Sequence, residues 1–532
     1  MESSCTFISF ESTGYFSKIV ADYIRQAESL RSFYQHPVSL DGIKAAIEAR
    51  KKFPTNRTLL VEELQKQYEN INLSAKQETN LQSLLHENTF TVTTAHQPNI
   101  FTGPLYFIYK IMHAVKLADE LNATLPQYHF VPVYYMGSED ADLDELGYLY
   151  LNQTKLSWHT NQTGAVGRMK VDKAFMQLIE QIYGQVGVHP NGKELTNLFR
   201  RAYTEGKTIQ QATLELVNAL FAEYGLLIVI PDNAALKRAF NPVVEKELTE
   251  QFSHKAVEQT IHELGKKYKV QTAGRDLNLF YLIDDKRERI EFQYEKYFVQ
   301  SLGKEWSREE ILAELNEHPE RFSGNVILRG VFQETILPNI AFIGGGGELA
   351  YWLELKGVFE TAGVPYPMLI VRNSFLYIEP KQWQQWNELN FSNQDLFRPG
   401  TELLNEYVKK HTENQIHLTE ELAQANVLYE HLKQLANKID ATLEQHTEAL
   451  QVKALQKLQQ LEKKLLRAEK RKFSVQQQHL ATLKKALFPH ESLQERIENF
   501  SCYYARFGSA WLQDVYQHSK GLDQQFGIIR LH

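Results

Sequence analysis

Cysteine is nearly missing from this chain: 532 residues hold two, Cys5 and Cys502. That excludes a disulfide framework and a cysteine-built zinc site, and it fits a reducing compartment. An excess of positive charge is missing too. With 58 Lys and Arg against 65 Asp and Glu the formal charge is −7, which disfavours non-specific binding to nucleic acid or to an anionic membrane. No stretch approaches the ~18 to 20 consecutive apolar residues of a membrane span. Residues 1–18 lack the basic-then-apolar pattern of a secretory signal. The expectation is a soluble, cytoplasmic protein with neither a nucleic-acid nor a membrane partner. Common catalytic signatures are absent as well: there is no complete Walker phosphate loop, no His-Glu-x-x-His and no Gly-x-Ser-x-Gly. The usual NTPase, zinc-protease and α/β-hydrolase classes lose weight accordingly.

What is present reads as globular. At 43% hydrophobic and 23% charged residues, the chain has core-forming material for three or four domains' length. Residues 15–53 and 58–88 carry helical periodicity with few breakers, so the chain is expected to open with helices. The first clear strand, over 89–94, runs into Ala95-His96-Gln97-Pro98, then Gly103-Pro104 at the first turn of a helix over 105–121. A second strand, over 129–136, ends at Gly137-Ser138-Glu139-Asp140. Strand, helix, strand is a βαβ unit and implies a parallel sheet. Apolar runs over 225–230, 339–343 and 367–371 repeat the theme, with a helix over 348–362 between the last two. Each run ends in a polar or glycine-rich loop, at the edge where open α/β sheets bind ligands. The stretches near 152–222 and 240–330 read as insertions, the second with short strands around 277–283 and 289–293.

The richest of these loops follows 339–343. Gly344-Gly345-Gly346-Gly347 breaks an apolar strand, and Glu348, Tyr351 and Trp352 follow on an amphipathic helix. Glycines admit a ligand close to the backbone, and a helix N-terminus attracts an anion. The same residues also serve a plain tight turn. His96 and Gln97 are placed to bind or shuttle protons, or simply to cap their strand, and Lys110 lies in the helix beyond Gly103 and Tyr106. Glu139, Asp140 and Asp142 crowd the second strand end, where carboxylates hold a metal or an ammonium, accept a proton, or start a helix. Asp144 and Glu145 fit the helix start best. Arg329 and Gln333 follow Val326-Ile327-Leu328 in a strand-like segment, and Arg372 and Asn373 end the last strand. Each arginine suits either a structural ion pair or bidentate binding of a carboxylate.

Residues 401–488 contain no glycine and no proline. Leu422, Tyr429, Ala436, Leu443 and Leu450 recur every seventh residue, and Ala454, Leu461, Ala468 and Val475 continue in a shifted series. That pattern specifies a coiled coil. The slip near 450–454 is either a stutter in one rod or the tip of an antiparallel hairpin. The aromatics of 500–511 need the chain to return to the body, which favours the hairpin. Closed two-fold dimers are the commonest soluble assembly, so a homodimer through this element is expected.

Three blocks together resemble one family. They are Gln97 with Thr102-Gly103-Pro104-Leu105-Tyr106 and Lys110; Glu139-Asp140 with Asp142 and Asp144; and Leu328-Arg329, Gln333, Leu337-Pro338, Gly345, Gly347-Glu348 and Ala350-Tyr351-Trp352. The family is the cysteine ligase of bacillithiol biosynthesis, BshC, and the resemblance covers nearly the whole chain. His96, Ala141 and Gly346 depart from the family pattern, which has glutamine, histidine and proline there. The resemblance implies a Rossmann-like α/β core with connecting subdomains over 1–400, a dimerising coiled coil over 401–490, and a returning segment over 491–532. It implies joining of L-cysteine to the amino group of glucosaminyl malate. Amide formation from a free acid needs activation, so ATP with magnesium is the expected cosubstrate. His96, Lys110, Glu139 and Asp140 are the expected catalytic residues. The rival readings are a dimeric scaffold that senses a nucleotide or sugar, and a nucleotide-sugar transferase.

Overall fold

The computed structural model of the protein describes residues 2–271 and 274–532. Its centre is a sheet of five parallel strands in the spatial order Met368–Val371, Asn339–Gly344, Thr89–His96, His129–Met136, Leu227–Val229. The chain enters in the middle at Thr89–His96 and steps outward to Leu227–Val229. It then crosses back to lay Asn339–Gly344 on the other side of the first strand. The order of strands therefore reverses between Thr89–His96 and Asn339–Gly344, and a crevice opens beyond their carboxyl ends.

The alternation within Thr89–His96 explains why this strand sits centrally. Phe90 and Val92 enter an apolar cluster with Ala114, Leu117 and Leu121 of the helix Tyr106–Thr124 and with Ile43 and Ile47 of the helix Leu40–Arg50. Each of the larger of these side chains, fully buried, contributes about 1.5–3 kcal/mol. Thr91 and Thr93 point to the opposite face, where their hydroxyls donate to Asn339 Oδ1 at 3.2 and 2.8 Å. Successive side chains thus serve two layers of the protein.

Several elements differ from expectation. The chain opens with a strand, Ser3–Ile8, which pairs antiparallel with Phe526–Leu531, itself beside Ser374–Ile378. Its partner lies more than 500 residues away in sequence, so local pattern does not reveal it. Helices follow at Lys18–Ile24, Leu40–Arg50, Arg57–Gln67 and Ala75–Ser83. Pro104 precedes the first helical turn, and Leu105 is the N-cap of Tyr106–Thr124. The helix expected over 348–362 is two, Gly346–Trp352 and Lys356–Ala362. The break lets Phe342 and Phe359 both stack on the buried Trp352 ring, at 4.3 and 5.4 Å. The strand-like segment at 326–329 begins a helix, Val326–Ile336, because Asn325 caps it by accepting the Ile327 N–H at 2.9 Å.

Contacts divide the chain into one unit of Met1–Tyr377 with Ser492–His532 and another of Ile378–Glu491. The second unit is helical, and its longest members, Thr419–Ile439 and Thr442–Lys470, form a hairpin. Contacts from His417 to Glu462 (2.9 Å), Asn426 to Gln451 (3.1 Å) and Asn437 to Glu444 (2.9 Å) show them running antiparallel. The tip lies at Asp440-Ala441, not near 450–454. Asp440 Oδ1 accepts from both the N–H and the hydroxyl of Thr442, each at 2.8 Å, and so starts the second helix. The heptad slip falls inside that unbroken helix.

Candidate active site

All five strands of the central sheet deliver residues to one cleft of about 500 Å³ at their carboxyl ends. Thr89–His96 supplies His96 and then Gln97, and His129–Met136 leads to the turn Gly137–Asp140. Leu227–Val229 leads to Pro231, Asn339–Gly344 to Gly345–Glu348, and Met368–Val371 to Arg372. Lys110, Tyr106, Arg329 and Tyr351 enter from the flanking helices, and Phe280 and Arg287 come from the inserted hairpin Leu279–Ile283/Lys286–Arg289. Arg496 arrives from the segment after residue 491.

Charge is laid out unevenly across this cleft. On one side stand Lys110, Arg329, Arg372 and Arg496 with the single carboxylate Glu348 in the wall. Lys110 Nζ donates to the Ala95 carbonyl at 2.9 Å and forms an ion pair with Glu348. Glu348 also accepts the Gly345 N–H at 2.8 Å. The start of the short helix Gly346–Trp352 is therefore met by the protein's own carboxylate, and the anion-holding capacity rests with the side-chain cations. Arg372 bonds Glu495 (2.7 Å) and Ser374 (2.9 Å), while its Nε is buried with no partner and lies 3.7 Å from where a Gly345 Cβ would stand. None of the four glycines has a positive φ. A Cβ at Gly347 would meet nothing within 4 Å, so this is where the backbone is open to close approach.

His96 has its Nε2 buried without a partner and the Tyr106 ring edge-on at 5.3 Å. Burial, then the cations Lys110, Arg372 and Arg329, hold its imidazole well below the usual range, so it is neutral at pH 7. Burial likewise lowers the Lys110 ammonium, against the opposing pull of Glu348.

The other side of the cleft carries carboxylates. Glu139 forms an ion pair with the buried Lys237 and accepts from the Ser323 hydroxyl at 2.9 Å. Lys237 also donates to the Glu320 carbonyl at 2.9 Å and lies 3.7 Å from Asp232, which Arg168 grips at 2.7 and 2.6 Å. Asp140 is less encumbered: it accepts from Gln97 Nε2 at 3.1 Å and from the Asp142 N–H at 3.2 Å. Glu145, read from sequence as a helix start, also lines the cleft, and burial with Asp140 and Asp142 nearby raises its carboxyl.

Thirteen of the expected residues thus meet in one place: His96, Gln97, Tyr106, Lys110, Glu139, Asp140, Arg329, Gly345, Gly346, Gly347, Glu348, Tyr351 and Arg372. Six others lie elsewhere. Gly103 turns the chain at φ 63° and gives its carbonyl to Asn499. Asp142 caps the short helix Leu143–Leu146. Gln333 is wholly buried and donates to Glu334, inside a polar network with Arg50 and Asn339. Gly344 is the last strand residue and bonds the Arg372 N–H. Trp352 is stacked in the core, and Asn373 ties His113 to Lys520 through its N–H and Oδ1. Arg287, Arg496, Ser323 and Lys237 are the contributors that sequence reasoning missed. Arg287 sits in the insertion and Arg496 follows the coiled coil, so neither adjoins a strand-end motif.

Among the described residues, no three His, Cys, Asp or Glu side chains converge as a metal cage. No helix among them is long and apolar enough to cross a membrane.

Comparison with known proteins agrees with this architecture. A family model described as bacillithiol biosynthesis BshC, N-terminal Rossmann-like domain, matches residues 2–373, and its C-terminal coiled-coil companion matches 375–531. A Flavobacterium johnsoniae protein named "Putative cysteine ligase BshC" is 42% identical over 533 residues, covering 100% of both chains. A Flavobacterium psychrophilum protein of the same name is 39% identical with the same coverage. One from Bacillus cytotoxicus is 28% identical over 96% of this chain and 98% of its own.

Proposed function

The chain belongs to the BshC family of bacillithiol biosynthesis, and on that premise we propose that it is a ligase joining the carboxyl group of L-cysteine to the amino group of glucosaminyl malate. The observation that carries this reading is the division of charge in the cleft. One side gathers Lys110, Arg329, Arg372 and Arg496, and the other carries Glu139 and Asp140 with Arg287 beside them. A substrate with two carboxylates at one end and an amine at the other is complementary to that layout. The malyl group belongs among the arginines and the glucosamine nitrogen beside Asp140.

Amide formation needs the cysteine carboxyl to carry a leaving group, and ATP is the cosubstrate we expect to supply it. The attacking amine forms the new C–N bond as the leaving group departs, and its proton passes to Asp140, the less encumbered carboxylate. The neutral His96 imidazole and Lys110 offset the negative charge that develops on the carbonyl oxygen. Magnesium would come with the nucleotide, since this ion is ordinarily held by substrate phosphates and one or two carboxylates. The deciding experiment incubates purified protein with cysteine and glucosaminyl malate, with and without ATP, and looks for the thiol product by mass spectrometry. Product that requires one nucleotide condition supports the reading, and no product under any nucleotide condition overturns it.

The uncovered leucines of the second unit support a homodimer. Leu443, Leu450 and Leu461 are each more than 40% exposed on a hairpin that offers them no core of their own.

A further inference from the structure

Arg287 lines the cleft near Glu139 and Asp140, apart from the cluster of Lys110, Arg329, Arg372 and Arg496. It stands on the inserted hairpin opposite Leu282, diagonal to Phe280, and its guanidinium lies 3.9 Å over the Phe280 ring. Its Nε is buried with no hydrogen-bond partner, and its Nη2 reaches Ser323 Oγ and the Gly324 carbonyl only at 3.5 and 3.4 Å. Among the described residues, no carboxylate lies within the 4.0 Å of an ion pair. A guanidinium stacked in place, partly desolvated and short of acceptors is arranged to receive a carboxylate in fork geometry. Ser323 touches it on one side, and on the other donates to Glu139 at 2.9 Å. Glu139 is itself held by Lys237. A fixed anion and an under-bonded cation therefore stand one hydroxyl apart in the same wall.

We propose that Arg287 and Glu139 form the amino-acid subsite, Arg287 taking the α-carboxylate and Glu139 the α-ammonium of cysteine, while Arg329, Arg372 and Arg496 serve the dicarboxylate. This assignment rests on the ligase reading for the identity of the amino acid. It gives the insertion a task, since the hairpin carries one half of the recognition. The spacing suits an α-amino acid, whose opposite charges are separated by a single carbon. Ser138, with its hydroxyl buried and unpartnered, adjoins Glu139 in the same wall.

The test is calorimetric and needs no turnover. Full-length wild type, R287Q, R287K and E139Q are titrated without nucleotide against L-cysteine, cysteamine, 3-mercaptopropionate and L-malate, with and without glucosaminyl malate. Loss of a charge-assisted hydrogen bond predicts that R287Q weakens cysteine and 3-mercaptopropionate about 10- to 100-fold and leaves cysteamine and malate within about twofold. E139Q is expected to weaken cysteine and cysteamine and to spare 3-mercaptopropionate. Circular dichroism checks folding. If R287Q does not fold, R287K is read instead, with a smaller loss of the same selectivity. Wild type that binds no cysteine under either condition, or an R287Q loss that falls on malate, overturns the proposal. If the selectivity holds while no thiol product ever forms, the subsite stands and the ligase reading fails. If product forms and R287Q raises only the KM for glucosaminyl malate, the ligase reading stands and the subsite fails.

Discussion

Replacing Glu495 by glutamine puts the electrostatics of the cleft to a quantitative test. The Arg372 and Glu495 side chains are 4% and 0% exposed, and they meet at 2.7 Å. Glu495 also accepts the Phe375 N–H at 3.2 Å, so one carboxylate joins the end of the sheet to the segment after residue 491. Glutamine keeps one acceptor for Arg372 but removes the charge, and its amide group then faces either the guanidinium or the Phe375 N–H. Breaking a buried pair from one side costs about 3–5 kcal/mol, because the remaining charge is left uncompensated. The upper half of that range is expected here, since Lys110, Arg329 and Arg496 are nearby cations and only Glu348 opposes them. Urea unfolding of the variant and of wild type measures the loss. The variant itself should then gain about 2.7 kcal/mol of stability when L-malate is added at 100 times its Kd at constant ionic strength. A loss below about 1 kcal/mol would place the pair among those that merely break even. Insensitivity to malate would refute the claim that this lobe receives a dicarboxylate.

K110M removes the partner of Glu348 and a cation near the reacting carbonyl; product formation should fall about 100- to 1,000-fold in kcat, with the KM for cysteine changing less. Acid should destabilise the fold through its histidines. Burial, with Arg31 near His36 and Arg372 near His113, lowers both to about 4 from a usual 6.5. The unfolded chain therefore takes up protons first as pH falls, and the stability present above 6.5 is lost between 6.5 and about 4. By pH 5 each should cost about 2 kcal/mol, visible as a lower urea midpoint, and H113Q should flatten the pH dependence. On the proposed homodimer, wild type should sediment as a dimer, and replacing Leu443 and Leu450 together by glutamate should give a monomer while leaving the helical signal of the hairpin in place.

The sheet was legible because each of its strands is a local signal: an apolar run that ends in a turn. The strand Ser3–Ile8 was not, because Ser-Ser-Cys-Thr-Phe-Ile becomes a strand only beside Phe526–Leu531. Site residues followed the same rule. His96, Glu139, Gly345 and Arg372 adjoin strand ends, and they line the cleft as that position suggests. Arg287 and Arg496 reach the cleft from an insertion and from beyond the coiled coil, and nothing in their neighbours marks them. Gln333 and Trp352 were over-read for a related reason: a polar or aromatic residue near a ligand motif looks the same in sequence whether it faces the cleft or the core. Asn325 hid the helix at 326–336 from a reading by hydropathy alone, since a cap outweighs a β-branched run.

The attachment of the helical unit has a consequence for how this chain can vary. The first unit loses the chain at Tyr377 and regains it at Ser492, and across that gap the Tyr377 N–H bonds Gln494 Oε1 at 3.1 Å. Exit and entry are thus neighbours, pinned within the body that holds the cleft. Everything between is a loop in the topological sense, and closing a loop twice as long costs only about 0.6 kcal/mol more. Whole heptads can be added to or removed from both arms of the hairpin with little effect on Arg372, Glu495 or Arg496. Arm length is therefore free to drift, while the charges at the sheet edge are not.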